Sequence, residues 1–259
     1  MKFPIKKSLL ALGLVVGLTN VMTANAAPSD ELRGENVVLV HGAFADGSSW
    51  AKVIPLLEAK GLHVVAVQIP LSSLKDDAAA TKRVIQQQTG PVILVGHSWA
   101  GSVITEVGDE DKVKALVYVA ALAPSVGQSL NDMTKGFPAP AWTGELRKDS
   151  GGYLTLSDKG IKQYFAADLS PSQQKLLAAT QGPWFAGCLD DKVDHAAWQD
   201  KPSWMVIPTH DQIINPALEE AYGKKIGATM TMVDSSHVAM LAKPEQVAEV
   251  IIAAARKVK

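Results

Sequence analysis

The chain has 259 residues, 47% of them hydrophobic, with 25 Lys and Arg against 26 Asp and Glu, and one cysteine. That is enough apolar material for one large core. The near-zero charge excludes nucleic acid or an anionic membrane as an electrostatic partner. The lone Cys188 excludes an internal disulfide and, with no ligand pattern near it, reads as core filler with no metal site around it.

Lys2, Lys6 and Lys7 precede an apolar run that reaches Met22, and Ala24-Asn25-Ala26 places small residues where a signal peptidase reads. Residues 1–26 are therefore expected to be a cleaved secretory signal peptide, with the cut before Ala27. The apolar run is shorter than the roughly 20 residues of a membrane span. Cleavage leaves 233 residues carrying a net charge near −4, expected in the periplasm or outside the cell with no stable membrane association.

A polar linker over 27–35 leads into one domain over 36–259. Val37-Val38-Leu39-Val40 reads as a buried strand, and residues 48–60 as a helix capped by Ser48 and stopped by Gly61. Val64-Val65-Ala66-Val67 is the next strand, 76–88 a helix ended by Gly90, and Val92-Ile93-Leu94-Val95 a third strand running into a turn and a helix from Ser102. Leu116-Val117-Tyr118-Val119-Ala120 follows as a strand. After a long interruption come the strand Trp204-Met205-Val206-Ile207, a helix from Pro216 to about Lys225, the strand 229–233 and a helix from Pro244 through Ala255. Apolar strands alternating with helices predict an α/β fold, a mostly parallel sheet of about six strands with helices on both faces. Chemistry in such sheets gathers at the carboxyl ends of the strands.

The interruption, about 125–200, is rich in Gly, Pro and Ser and carries Trp142, Tyr153, Tyr164, Phe165, Trp184, Phe185 and Trp198. A segment of that length between core strands predicts an inserted lid. Its aromatic content points to a largely apolar group in the pocket, for which Phe44, Trp142, Trp184 and Met240 are the candidate lining residues.

Gly96-His97-Ser98-Trp99-Ala100-Gly101 is the most informative segment. A serine between small residues at a sharp strand-to-helix turn is presented at the sheet edge, beside the positive end of a helix. A serine hydroxyl needs a base and a group that orients the base. His237, after the last core strand, is the expected base. Asp211, after the preceding strand, is the expected orienter, with Asp234 the competitor close to His237 in sequence. An oxyanion needs preorganised donors: the backbone N–H of Trp99, and one from His41-Gly42-Ala43-Phe44, assigned to Ala43 with Phe44 as the alternative. His41 is expected to hold loops together, His97 to point into the fold, and His210 to pack.

With these motifs the chain resembles the α/β-hydrolase superfamily, and within it small bacterial esterase-like hydrolases related to the plant methylesterase and hydroxynitrile lyase group. The resemblance rests on His41-Gly42-Ala43, Gly96-His97-Ser98-Trp99, the Asp211 loop and Ser236-His237. It covers residues 37–124 and 201–258 and does not extend through the lid. It implies a serine hydrolase acting on small carboxylic esters, with no metal and no organic cofactor. Three features narrow it. Ala100 replaces the usual second glycine. Serine stands where dehalogenases and epoxide hydrolases of this fold carry aspartate. Gly42 stands where the lyases carry threonine. The alternatives are a ligand-binding or sensing protein that turns over slowly, and cofactor-free perhydrolysis or acyl transfer to a nucleophile other than water.

Overall fold

The computed structural model describes Met1, Leu32 and residues 35–258. Apart from Met1, the expected signal peptide lies outside the described residues. The strands are β1 Asn36–Val40, β2 His63–Val67, β3 Val92–His97, β4 Val113–Val119, β5 Leu146–Lys148, β6 Tyr153–Leu156, β7 Trp184–Phe185, β8 Ser203–Pro208 and β9 Thr229–Val233. The helices are α1 Ile54–Glu58, α2 Leu74–Gln87, α3 Ala100–Val107, α4 Leu130–Thr134, α5 Asp158–Gly160, α6 Pro171–Thr180, α7 Pro216–Lys225, α8 Ala239–Ala242 and α9 Pro244–Val258.

Six strands form one parallel sheet in the order β2-β1-β3-β4-β8-β9. Every residue of β1, β3 and β8 is buried, so the centre of the sheet is covered on both faces. The covering helices pair as α2 with α3 and α1 with α9. The edge strands β2 and β9 have one neighbour each, and most of their residues are partly or fully exposed. Helix α3 is buried nearly all round, with Ala100, Val103, Ile104 and Val107 supplying its apolar contacts, because it lies against β3 on one side and α2 on the other.

Two local expectations are corrected. The helix expected over 48–60 is a 3-10 turn, Gly47–Trp50, followed by α1. Pro55 has no N–H to continue a helix but fits a first turn, so a new helix starts at Ile54. The cap is Asp46, whose Oδ1 accepts the Ser48 N–H at 2.7 Å, not Ser48 itself. The expected linker also contributes to the domain. Leu32 is buried, and its N–H donates to the Lys60 carbonyl at 2.8 Å.

Between β4 and β8 lies a cap that holds α4, a second sheet with the antiparallel order β5-β6-β7, α5 running into a π turn at Ile161–Phe165, and α6. Its strands are two to four residues long, too short to show a period in sequence. The cap is stitched to the sheet domain. Phe185 N–H donates to the Leu71 carbonyl at 2.9 Å, Leu74 N–H to Asp191 Oδ2 at 2.8 Å, and Trp198 Nε1 to the Pro124 carbonyl at 2.7 Å.

Candidate active site

Ser98 sits between the end of β3 and the start of α3 with φ +54°, in the left-handed region. A non-glycine residue held there costs about 1–3 kcal/mol, which the surroundings must offset. Its N–H donates to the Val119 carbonyl at 3.1 Å, and its own carbonyl accepts the Gly101 N–H at 2.9 Å. A Cβ at Gly96 would lie 2.6 Å from the Ala100 oxygen, and one at Gly101 2.4 Å from the Leu122 oxygen. The two crowded places of the turn are therefore positions 96 and 101. Ala100 is accommodated because the close approach to the next loop falls one residue later than the usual signature implies. Gly101→Ala is expected to destabilise the fold by about 3 kcal/mol, through a backbone clash that no rotamer relieves. Ala100→Gly should cost only about 1 kcal/mol and keep activity. Thermal unfolding of the two variants side by side checks this.

His237 lies in the loop after β9, and Asp211 in the loop after β8. His237 Nε2 is 2.9 Å from Ser98 Oγ, and His237 Nδ1 is 2.6 Å from Asp211 Oδ2. The carboxylate can only accept, so Nδ1 carries the proton, and the Nε2 lone pair faces the serine O–H. Asp211 Oδ1 accepts the N–H groups of Ile213 at 2.7 Å and Ile214 at 3.0 Å, which fixes the carboxylate. His237 and Asp211 are buried, while Ser98 is partly exposed. Asp234, the sequence competitor, instead meets His210 Nδ1 at 3.0 Å in a pair whose side chains are 79% and 70% exposed. His210 thus does not pack into the fold.

The other histidines brace the site. His41 Nδ1 donates to the Gly42 carbonyl at 3.0 Å, and its Nε2 accepts the Ile69 N–H at 3.1 Å. It joins the loops after β1 and β2. His97 Nε2 donates to the His237 carbonyl at 3.1 Å. Burial, with the neighbouring His237 adding to it, holds His97 well below the usual imidazole range, so it is neutral. At Gly42 a Cβ would stand 2.8 Å from the Ser98 Cβ, so the first loop can approach the serine only with glycine there. The next residues, Ala43 and Phe44, are buried, and Phe44 has φ +60°. Among the described residues, neither the Ala43 nor the Trp99 N–H is taken by a backbone acceptor outside regular elements.

Of the four expected pocket residues, three gather. The Phe44 ring is 6.5 Å from Trp142 and 5.8 Å from Trp184, edge to face. Trp142 Nε1 donates to the Ile213 carbonyl at 2.9 Å, linking the cap to the Asp211 loop. Met240 is fully buried in α8, just past the His237 loop.

Sequence reasoning missed three residues. Phe165, at the end of the π turn, places its ring 5.3 Å from that of His237 and 6.3 Å from Phe44. Asp168 accepts the Ser236 N–H at 2.9 Å and also the Ser236 hydroxyl, so the cap clasps the residue before His237. Glu219, in the first turn of α7, is fully buried. Burial, and after it the charge of Asp211, raise its carboxyl well above the usual range. No local pattern marks any of these. An aromatic at a π turn is the one hint, since such turns cluster at functional sites.

Residues 37–250 match the model of the alpha/beta hydrolase family. The chain is 25% identical to methylesterase 1 of Arabidopsis thaliana over 88% of this chain and 99% of that protein. It is 26% identical to the probable hydrolase R7 of a Phoma species over 83% of this chain and 96% of that one. The solved structure of a pyrethroid hydrolase from Sphingobium faniae superposes with a TM-score of 0.75 at 20% identity, covering 86% of this chain and 97% of that one. A parallel sheet in this order, with a serine turn after its third strand, an aspartate and a histidine on the two loops that follow the last two strands, and a match over most of the length, places the chain in the alpha/beta hydrolase family as a carboxylesterase-like member.

Proposed function

We propose that the protein cleaves small carboxylic esters through an acyl-enzyme formed on Ser98. The observation that carries this is the unbroken chain from Ser98 Oγ to His237 at 2.9 Å and from His237 to Asp211 at 2.6 Å. Ser98 Oγ attacks the ester carbonyl carbon while its proton passes to His237 Nε2. Asp211 keeps the tautomer that makes this possible and stabilises the imidazolium that results. The amides of Ala43 and Trp99 hold the oxyanion. As the tetrahedral species collapses, the carbon–alkoxide bond breaks and the alcohol leaves with the proton from His237. Water then attacks the acyl carbon, giving its proton to the same nitrogen; the bond from that carbon to Ser98 Oγ breaks, the proton returns from His237 to Oγ, and the acid departs.

The methylesterase relatives support an ester, and the Phe44, Trp142 and Trp184 cluster supports a largely apolar group on one side of it. Hydrolysis of p-nitrophenyl esters of graded chain length, followed over many turnovers, tests this together with a fluorophosphonate label. Sustained turnover and one label on Ser98 are expected. A single burst without turnover would favour a sensing protein. An acyl group that partitions to peroxide in preference to water would favour perhydrolysis.

The basic, apolar and Ala24-Asn25-Ala26 segments support export to the periplasm or beyond. Expressed in a bacterium with an intact secretion pathway, the exported product should begin at Ala27 when its intact mass is measured. A soluble, active product that retains residues 1–26 would sink this.

A further inference from the structure

The residue after Ser98 is anchored by a carboxylate that no step above uses. Asp77 lies in the first turn of α2 and is fully buried. Its Oδ2 accepts from Trp99 Nε1 at 2.7 Å, and its Oδ1 from the Leu71 N–H at 2.7 Å. Leu71 is itself held at φ +60°, and its carbonyl accepts the Phe185 N–H from β7 of the cap. The Trp99 indole packs 5.4 Å from Trp184, the neighbour of Phe185, and Trp184 packs on Phe44. One carboxylate therefore joins the serine turn, the loop after β2 and the cap.

We propose that Asp77 is a positioning residue for the oxyanion hole, pinning the Trp99 indole so that the amide beside Ser98 stays aimed at the developing charge and the cap wall stays seated on that indole. This rests on the acyl-enzyme reading above. Oxyanion donors accelerate a reaction only if they are oriented before charge develops. The turn that orients this one is strained at Ser98 and is followed by a helix of only eight residues. The Trp99 side chain is its anchor on the helix side. An N–H bonded to a carboxylate in a dry site is about twice as strong as a neutral pair, so the ring does not turn without a large penalty.

Asparagine cannot take this place. Both partners of Asp77 are donors, and an amide offers one accepting oxygen, so either the indole or Leu71 would face an NH2 group. The setting of the carboxyl agrees with its isolation. Burial raises Asp77 to about 6, against the pull of Trp99 and Leu71, with Asp76 on the same helix and Asp191 from the cap pushing the same way. Cys188, beside these carboxyls, is raised to about 12 by burial and by Asp77 and Asp191, so it stays a thiol.

Asp77→Asn and Trp99→Phe, the second of which removes the N–H and keeps an aromatic ring, test the anchor. Each should lower kcat by about 10- to 100-fold, below the 10²–10³ of deleting an oxyanion donor outright, with KM changed about threefold or less. A boronic acid that mimics the tetrahedral species should lose affinity by the same factor. The double variant should be no worse than the worse single one, because both cut one contact. In the wild type, tryptophan emission should titrate with a midpoint near 6, and that transition should vanish in both variants. Folded variants with wild-type kcat, or a strictly additive double variant, would overturn the proposal. Should Asp77→Asn fail to fold, Trp99→Phe decides it alone. Failure of wild-type Ser98 to take the fluorophosphonate would sink the acyl-enzyme reading instead, and the emission titration would still report on the Asp77–Trp99 contact.

Discussion

Ser98→Ala should lower kcat by about 10⁴- to 10⁶-fold, as removal of a nucleophile does when its partners cannot replace it. The hydroxyl is partly exposed, and its loss unpairs a single side-chain acceptor, Nε2 of the buried His237. Alanine keeps the Cβ that the turn already accommodates at φ +54°, so the melting temperature should move little. The rate falls because the electron pair that attacks the carbonyl is gone, while the oxyanion amides and the aromatic cluster remain. Substrate affinity should therefore be close to unchanged. Steady-state kinetics on the best ester, with a fluorophosphonate mass shift as control, reads all three quantities. A variant that kept a tenth of wild-type turnover would place the nucleophile elsewhere.

Asp211→Asn should cost about 10³- to 10⁴-fold in kcat, by a different route. The substituted side chain has the same shape and can still offer its oxygen to the amides of Ile213 and Ile214, which now meet Oδ1. Its NH2 then faces His237 Nδ1 at a site where the ring at present donates. The imidazole answers by moving its proton to Nε2, which can no longer accept from Ser98. The residual rate should be carried by the minor tautomer, so the loss appears in kcat, with KM little changed. Exchanging Asp234 gives the contrast. That carboxylate is exposed and paired with His210, and Asp234→Asn should leave kcat within about twofold, as exposed pairs contribute little. Equal losses in the two variants would undo the assignment of Asp211.

Much of the framework was readable from local pattern. The strand at 229–233 and the helix from Pro216 to Lys225 have the bounds expected of them. The helix is opened by a proline in its first turn and followed by Gly227 at φ +65°, two residues before the strand begins. Ser98 was readable for the same reason, since the turn it occupies is written into six consecutive residues. Asp211 is preferred over Asp234 from chain order and because Asp234, on or just after its strand, has little slack to reach the ring, and the geometry agrees. The loop after β8 has the slack to bring a carboxylate round to Nδ1, whereas Asp234 directly follows β9 and faces solvent. Where sequence misled, a competing local rule won. Pro55 split the helix expected between the Ser48 cap and the Gly61 stop, and Asp46 took the cap that Ser48 was expected to hold.

The cap was legible only as an interruption. Its sheet is built from strands of two to four residues. Such strands are stabilised by what they pack on and leave no hydrophobic period of their own. The same holds for the side chains that join cap to site. Phe165 on His237 and Asp168 on Ser236 are contacts between segments far apart in the chain, as is Asp77 on Trp99 within the sheet domain.

The amino-acid sequence by itself determined the alternation of strands and helices, the parallel sheet that follows from it, and the serine turn, because each depends on interactions within one turn of helix or one strand. Which glycine the serine turn needs, how the Asp211 carboxylate is fixed against His237, and how the cap reaches the catalytic loops were decided only by the tertiary structure. Those choices depend on distances across the sheet, on the dry surroundings that make a buried carboxylate bind its donors tightly, and on clashes between backbones that are neighbours in space alone.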